Sequence, residues 1–193
     1  APGCGVGGAG SGGVTVGVGG VVFAQGAIGL WTTAGAEGVG AALVVGGDSD
    51  PVRLATSKKM GADVTLDFSQ FDGIAEVNRL TGGGADVTIE ALGTQGTFEN
   101  ALRCLRPGGT LSSLGVYSGK LEMPYDAFAA GLGGHRIVTT LCPGGKERMR
   151  RLIAMVQSGR FDPLPRTTHP FALADTAAAS ARCSTSRDGA RRF

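Results

Sequence analysis

The chain is most constrained by its residues 21–30 read together with Asp48. An apolar run, Val21-Val22-Phe23, enters the tight turn Ala24-Gln25-Gly26-Ala27-Ile28-Gly29, and a helix-like segment leaves it through Leu30. A second apolar run covers residues 41–45, and Asp48 stands 19 positions beyond Gly29. Strand, glycine turn, helix, strand and acid, in that order, are the layout of a dinucleotide-binding βαβ unit. Each part has a physical task. Gly26 has no Cβ, so backbone can approach a pyrophosphate, and Gly29 lets the helix pack close to the strand. Around Gln25, Ala27 and Ile28 the helix N-terminus offers N–H groups and a partial positive charge to phosphates. Asp48 can accept hydrogen bonds from the two hydroxyls of an adenosine ribose.

The first glycine of the G-x-G-x-x-G pattern is Ala24 here. With 35 glycines in the chain, the strand–turn–helix–strand setting carries more weight than the glycines. Two other readings of the turn stay open: an ordinary βα turn that binds nothing, and a methyltransferase of related fold whose second strand also ends in an acid. A carboxylate at position 48 repels a 2′-phosphate, which points to NAD over NADP. Arg53 complicates this, since it either reaches the ribose or phosphate or lies solvated at the start of the next helix.

A net charge of +2 argues against a nucleic-acid footprint, and Arg148, Arg150 and Arg151 read as a solvated helix face. No apolar run approaches the ~20 residues needed to cross a bilayer. The N-terminus lacks the basic flank and apolar core of a signal peptide, so a cytoplasmic setting is expected. Cys4, Cys104, Cys142 and Cys183 show neither a C-x-x-C metal spacing nor a disulfide framework. Residues 1–20 hold ten glycines and no charge. They are expected to form a flexible tail or linker, and their sequence is expected to be incomplete or poorly determined.

Beyond residue 20, strand-like and helix-like segments alternate. Strands are expected at 21–23, 42–45, 64–68, 86–91, 110–114 and 136–141. Helices are expected at 28–37, 52–60, 73–80, 96–105 and 146–157, with Pro51 at a helix start and Gly61 at a helix end. Pro107-Gly108-Gly109 reads as the turn into the fifth strand. This order predicts an α/β fold, a Rossmann-type doubly wound parallel six-stranded sheet, with residues 21–160 as the dinucleotide-binding domain and 161–193 as a C-terminal return segment. Ligands of such sheets lie at the carboxyl ends of the strands. That rule nominates the turn from Gln25 to Gly29, Asp48, Leu92-Gly93, Gly115-Val116 and Leu141-Cys142.

Several motifs agree at once in order and spacing. They are residues 23–30, Asp48-Ser49-Asp50-Pro51-Val52-Arg53-Leu54, Met60-Gly61-Ala62-Asp63-Val64, Ile89-Glu90-Ala91-Leu92-Gly93, Leu105-Arg106-Pro107-Gly108-Gly109-Thr110 and Leu141-Cys142-Pro143-Gly144-Gly145. Together they resemble the coenzyme-binding domain of the medium-chain, zinc-type alcohol dehydrogenase family, and the last is similar to its bacterial secondary-alcohol branch. The resemblance runs from about residue 21 to 171 and fades toward 189. It implies NAD(H)-dependent interconversion of alcohols with aldehydes or ketones by hydride transfer, a small-molecule substrate, and a zinc that lowers the alcohol's pKa. It also implies a homodimer or tetramer paired through the last strand, and a full chain nearly twice this length. In that family the zinc ligands precede the glycine turn. Nothing in residues 1–20, with one cysteine and no His, Asp or Glu, matches them, so no metal ligand and no catalytic residue is assigned in this chain. Two alternatives stay open: a non-catalytic NAD-binding protein, and a zinc-free quinone reductase-like enzyme.

Other chemistry-bearing residues read more plainly. His135 and His169 lack metal-ligand partners at i+3 or i+4 and are expected in turns or at the surface. Tyr117 and Lys120 resemble a Tyr-x-x-x-Lys pair, but the spacing is one short and Gly119 breaks the helix it requires. Cys142 shows no nearby base and reads as a wall of the nicotinamide pocket. Glu90, inside an apolar strand, is either a buried hydrogen-bonded carboxyl or faces a helix end.

Overall fold

Short strands that are apolar along nearly their whole length must be covered on both faces, and the chain supplies a helix for nearly every strand. The computed structural model describes residues 2–70, 72–129, 133–140, 144–167 and 169–185. In chain order it contains α1 (Pro2–Ser11), β1 (Gly19–Phe23), α2 (Ala27–Gly38), β2 (Leu43–Asp48), α3 (Pro51–Lys59), β3 (Val64–Asp67) and α4 (Gly73–Thr81). There follow β4 (Ala85–Glu90), α5 (Gln95–Arg103), β5 (Leu105–Ser113), α6 (Tyr125–Phe128), β6 (Arg136–Thr139), α7 (Lys146–Gln157) and α8 (Thr176–Thr185). All strand pairs are parallel. Their order is β3-β2-β1-β4-β5-β6, the doubly wound sheet expected from the alternation, with its switch point between β1 and β4.

Period-two alternation decides which side each strand residue faces. Val21, Phe23, Val45 and Leu111 pack with Val77 of α4 and with Phe98 and Leu102 of α5. Val22, Val44, Val87 and Ile89 pack on the opposite face with Ala9 of α1 and Ala36 of α2. The helix starts follow local chemistry. Asp50 accepts from the N–H groups of Val52 and Arg53 with Pro51 in the first turn. Asp72 caps α4 in the same way, and the Thr94 hydroxyl accepts from the Thr97 N–H.

The N-terminal segment corrects the expectation of a flexible tail. Five of the ten residues of α1 are glycine, each costing about 1 kcal/mol relative to alanine in an isolated helix. Tertiary contact overrides that cost, because absent side chains let two helices approach backbone to backbone. A Cβ on Gly5 would lie 2.5 Å from Trp31 Cβ, and one on Gly35 of α2 would lie 3.1 Å from Val6 Cα. Ser112 Oγ donates to the Gly8 carbonyl at 2.9 Å, and Arg148 donates to the Gly3 carbonyl at 3.2 Å. The helix therefore packs on α2, β5 and α7.

A second correction concerns Pro107-Gly108-Gly109. These residues do not precede the fifth strand but lie inside it. Ala85 pairs with Leu105, whereas Val87 pairs with Thr110, so the extra residues bulge out, with Gly108 in the left-handed region at φ +72°. Cys104 is buried, which pushes its thiol up to about 12, with a smaller push from Asp72. No helix among the described residues is long and apolar enough to cross a membrane.

Candidate functional site

Backbone hydrogen bonds tie the carboxyl ends of neighbouring strands side by side. Ala24 N–H donates to the Gly47 carbonyl at 2.8 Å, Ala91 N–H to Phe23 at 3.1 Å, and Leu114 N–H to Glu90 at 2.8 Å. The turn after β1, the acid at the end of β2, and the loops after β4 and β5 thus form one continuous edge. Four of the five nominated segments meet there. Leu141 and Cys142 lie outside the described residues.

Within the turn after β1, each residue plays a distinct part. Ala24 takes the left-handed conformation, φ +71°, the single non-glycine residue with positive φ among those described. This is where the motif would place its first glycine, and an L side chain there costs roughly 1–2 kcal/mol. Ala24→Gly is therefore expected to raise stability by about 0.5–1 kcal/mol, the relieved strain exceeding glycine's larger unfolded-state entropy. Urea denaturation midpoints check this.

Gln25 is nominated as a coenzyme contact, and the structure gives its side chain a further task. Its side chain is fully buried, with Nε2 donating to the Val22 carbonyl at 3.0 Å and Oε1 accepting from Thr33 Oγ1 at 2.9 Å. It braces the turn from beneath. Gly26 is the N-cap of α2 with no side-chain cap bond, and a Cβ placed on it would meet nothing within 4 Å. That open space lies over the first-turn N–H groups, which a helix leaves without intrahelical partners. Ala27 and Ile28, both half-buried, complete this helix start. Gly29 is different: a Cβ there would overlap the Ala24 carbonyl. One glycine keeps the floor of the cradle open and the other joins helix to strand.

Asp48 is 8% exposed. Its Oδ2 accepts from Gln25 N–H at 2.6 Å, and its Oδ1 accepts from Ser49 N–H at 2.8 Å and Asp50 N–H at 3.0 Å. A carboxylate has about four lone-pair sites; three are filled by backbone, which leaves about one. Arg53 is not simply solvated. Its Nη1 lies 3.7 Å from Asp48 Oδ2 and its Nε 3.5 Å from Asp50 Oδ2, between two carboxylates.

The loops after β4 and β5 touch through glycine. A Cβ on Gly93, φ +93°, would come 2.5 Å from the Val116 carbonyl oxygen, and one on Gly115 would overlap Glu90 and Gly93. Leu92 and Val116 are exposed on either side. Beneath them Glu90 is fully buried, a hydrogen-bonded carboxyl rather than a bare one. Its Oε1 accepts from Leu92 N–H, Gly93 N–H and Thr97 Oγ1, each at 2.8 Å, and its Oε2 accepts from the Tyr117 hydroxyl at 2.7 Å. Burial, and then Glu90, push the Tyr117 hydroxyl above its ordinary range, although Ser113 opposes the shift. Sequence reading missed the roles of Tyr117 and Thr97. The available signal was Glu90 itself, because a buried carboxyl in an apolar strand requires donors from somewhere. His135 and His169 are half-buried, and among the described residues no group of three His, Cys, Asp or Glu could hold a metal ion.

Comparison with known proteins identifies the family. A family model described as zinc-binding dehydrogenase matches residues 27–158. An alcohol dehydrogenase of Cupriavidus necator is 57% identical over 169 residues, which is 87% of this chain and 46% of that protein. An NADP-dependent isopropanol dehydrogenase of Thermoanaerobacter brockii is 33% identical over 153 residues, 78% of this chain and 44% of that protein. Among solved structures, an alcohol dehydrogenase zinc-binding domain protein from Burkholderia ambifaria superposes with a TM-score of 0.84 at 25% identity, covering 95% of this chain and 50% of that one. The chain thus spans about half the length of the relatives it matches. It belongs to the zinc-binding dehydrogenases of the medium-chain alcohol dehydrogenase family, as that family's coenzyme-binding domain.

Proposed function

We propose that this chain is the coenzyme-binding part of an NAD(H)-dependent alcohol dehydrogenase, which interconverts alcohols with aldehydes or ketones. The observation that carries this is the pairing of an open cradle at Gly26 with the acid Asp48 at the end of the neighbouring strand. A dinucleotide needs both, a site for its pyrophosphate and an acceptor for its ribose. The N–H groups at the start of α2 would hold the pyrophosphate, and Asp48 would accept from a ribose hydroxyl. Bound NAD would supply the hydride acceptor. The metal named in the family's description finds no ligand set among the described residues, and the roles of this chain's residues concern the coenzyme.

NAD is favoured over NADP by charge. Asp48 and Asp50 stand together at the ribose end, and both already engage Arg53, so a 2′-phosphate would meet two carboxylates and no unengaged guanidinium. The Thermoanaerobacter relative is named for NADP, which makes the preference worth measuring directly. Calorimetric titration with NADH and NADPH is expected to show NADH binding at least about tenfold more tightly, as one uncompensated charge contact implies. Equal affinities would overturn the preference, and no binding of either would overturn the coenzyme reading.

A further inference from the structure

The carboxylate of Glu90 lies in the interior and is reached by four donors, three of them from the two loops on which the coenzyme's second half would rest. Two donors are the backbone N–H groups of Leu92 and Gly93, one is Thr97 in the first turn of α5, and one is Tyr117 beyond β5. Ser113, at the end of β5, hydrogen-bonds the Tyr117 hydroxyl at 2.8 Å. Since that hydroxyl's proton points to Glu90, Ser113 donates to it. Phe98 stacks edge-on to the Tyr117 ring with centroids 6.0 Å apart. A single carboxylate therefore ties the loop after β4 to the loop after β5, and the glycines at 93 and 115 let the two backbones touch above it.

We propose that Glu90 is a positioning residue for the coenzyme, acting through these two loops on the nicotinamide half of the dinucleotide. The proposal rests on the coenzyme reading given above. If the adenosine ribose lies at Asp48 on β2 and the pyrophosphate over the turn after β1, the remaining half crosses the switch point toward β4 and β5. There it meets Leu92-Gly93 and Gly115-Val116, whose relative position Glu90 sets. A cleft whose loops are locked beforehand spares the ligand the entropy of ordering them. Loosening the lock should weaken contacts at the β4–β5 side and leave the β1–β2 side untouched.

The experiment compares wild type, Glu90→Gln and Tyr117→Phe by calorimetric titration with NADH and, separately, with ADP, which carries only the adenosine half. Amide hydrogen exchange of the ligand-free proteins is followed alongside. Glu90→Gln removes the charge and leaves one accepting oxygen where the carboxylate had two, so the hold on the four donors weakens. NADH affinity is expected to fall on the order of tenfold, with ADP affinity unchanged and exchange accelerated at Leu92 and Gly93. Tyr117→Phe removes one donor and keeps the ring, so it reads the same split at roughly threefold if the glutamine variant fails to fold. Equal losses for NADH and ADP, or an NADH affinity like that of wild type in a folded variant, would overturn the positioning role. Failure of wild type to bind either nucleotide would instead overturn the coenzyme reading itself.

Discussion

Replacing Gly29 with alanine is expected to lower folding stability by about 3 kcal/mol, the upper end of the usual cost of overpacking. The added Cβ would overlap the Ala24 carbonyl oxygen, and neither side can yield. Ala24 is already held in the left-handed region, with its N–H bonded to Gly47, so its carbonyl cannot swing away without breaking the link between β1 and β2. Gly29 lies in the first turn of α2, and Leu30 beside it is fully buried, so the helix cannot lift off without opening the core. A native domain holds about 5–15 kcal/mol in total, so this one methyl removes a large share. Gly26→Ala is the informative control, because a Cβ there meets nothing within 4 Å. It should leave the denaturation midpoint nearly unchanged while weakening NADH. Equal midpoints for Gly29→Ala and wild type would refute the packing role.

Asp48→Ala is expected to act on stability and on coenzyme choice together. It leaves the Gln25, Ser49 and Asp50 N–H groups without their acceptor. Because the Gln25 donor is buried, a cost of about 1–3 kcal/mol follows. Loss of a charged acceptor for the ribose should weaken NADH by about tenfold or more. NADPH should lose less, or gain, because a carboxylate facing its 2′-phosphate is removed and Arg53 is released toward it. The ratio of the two affinities, measured by titration, separates this from simple destabilisation, which would weaken both coenzymes alike. An unchanged ratio would remove Asp48 from the discrimination.

Much of the architecture was legible because it rests on periodic patterns. The alternation of strands and helices, Pro51 at a helix start and the six-stranded parallel sheet all follow from local sequence, and the structure places most of them within a few residues of expectation. The glycine turn and Asp48 were legible as a unit because their spacing reflects chain geometry. The errors fall where distant contacts decide. Glycine-rich α1 looked like a tail because helix propensity counts only neighbours in sequence, whereas Trp31 and Leu114 supply the surface it packs on. Pro107-Gly108-Gly109 looked like a turn between elements because a bulge is defined by the partner strand, here β4. The bracing task of Gln25 was not legible either, because the partners of its side chain, Val22 and Thr33, are set by how the turn folds over them.

By itself the sequence determined the order of elements, the place of the glycine turn and the charge at position 48, since all three are properties of a local stretch of chain. Only the tertiary structure decided that Gly26 lines an open cradle while Gly29 is sealed against Ala24, that backbone takes three of the acceptor positions of Asp48, and that Glu90 gathers donors from two loops. Space, hydrogen-bond saturation and the union of separate loops depend on which residues the fold brings together, and residues from Glu90 to Tyr117 meet only once β4 and β5 lie side by side.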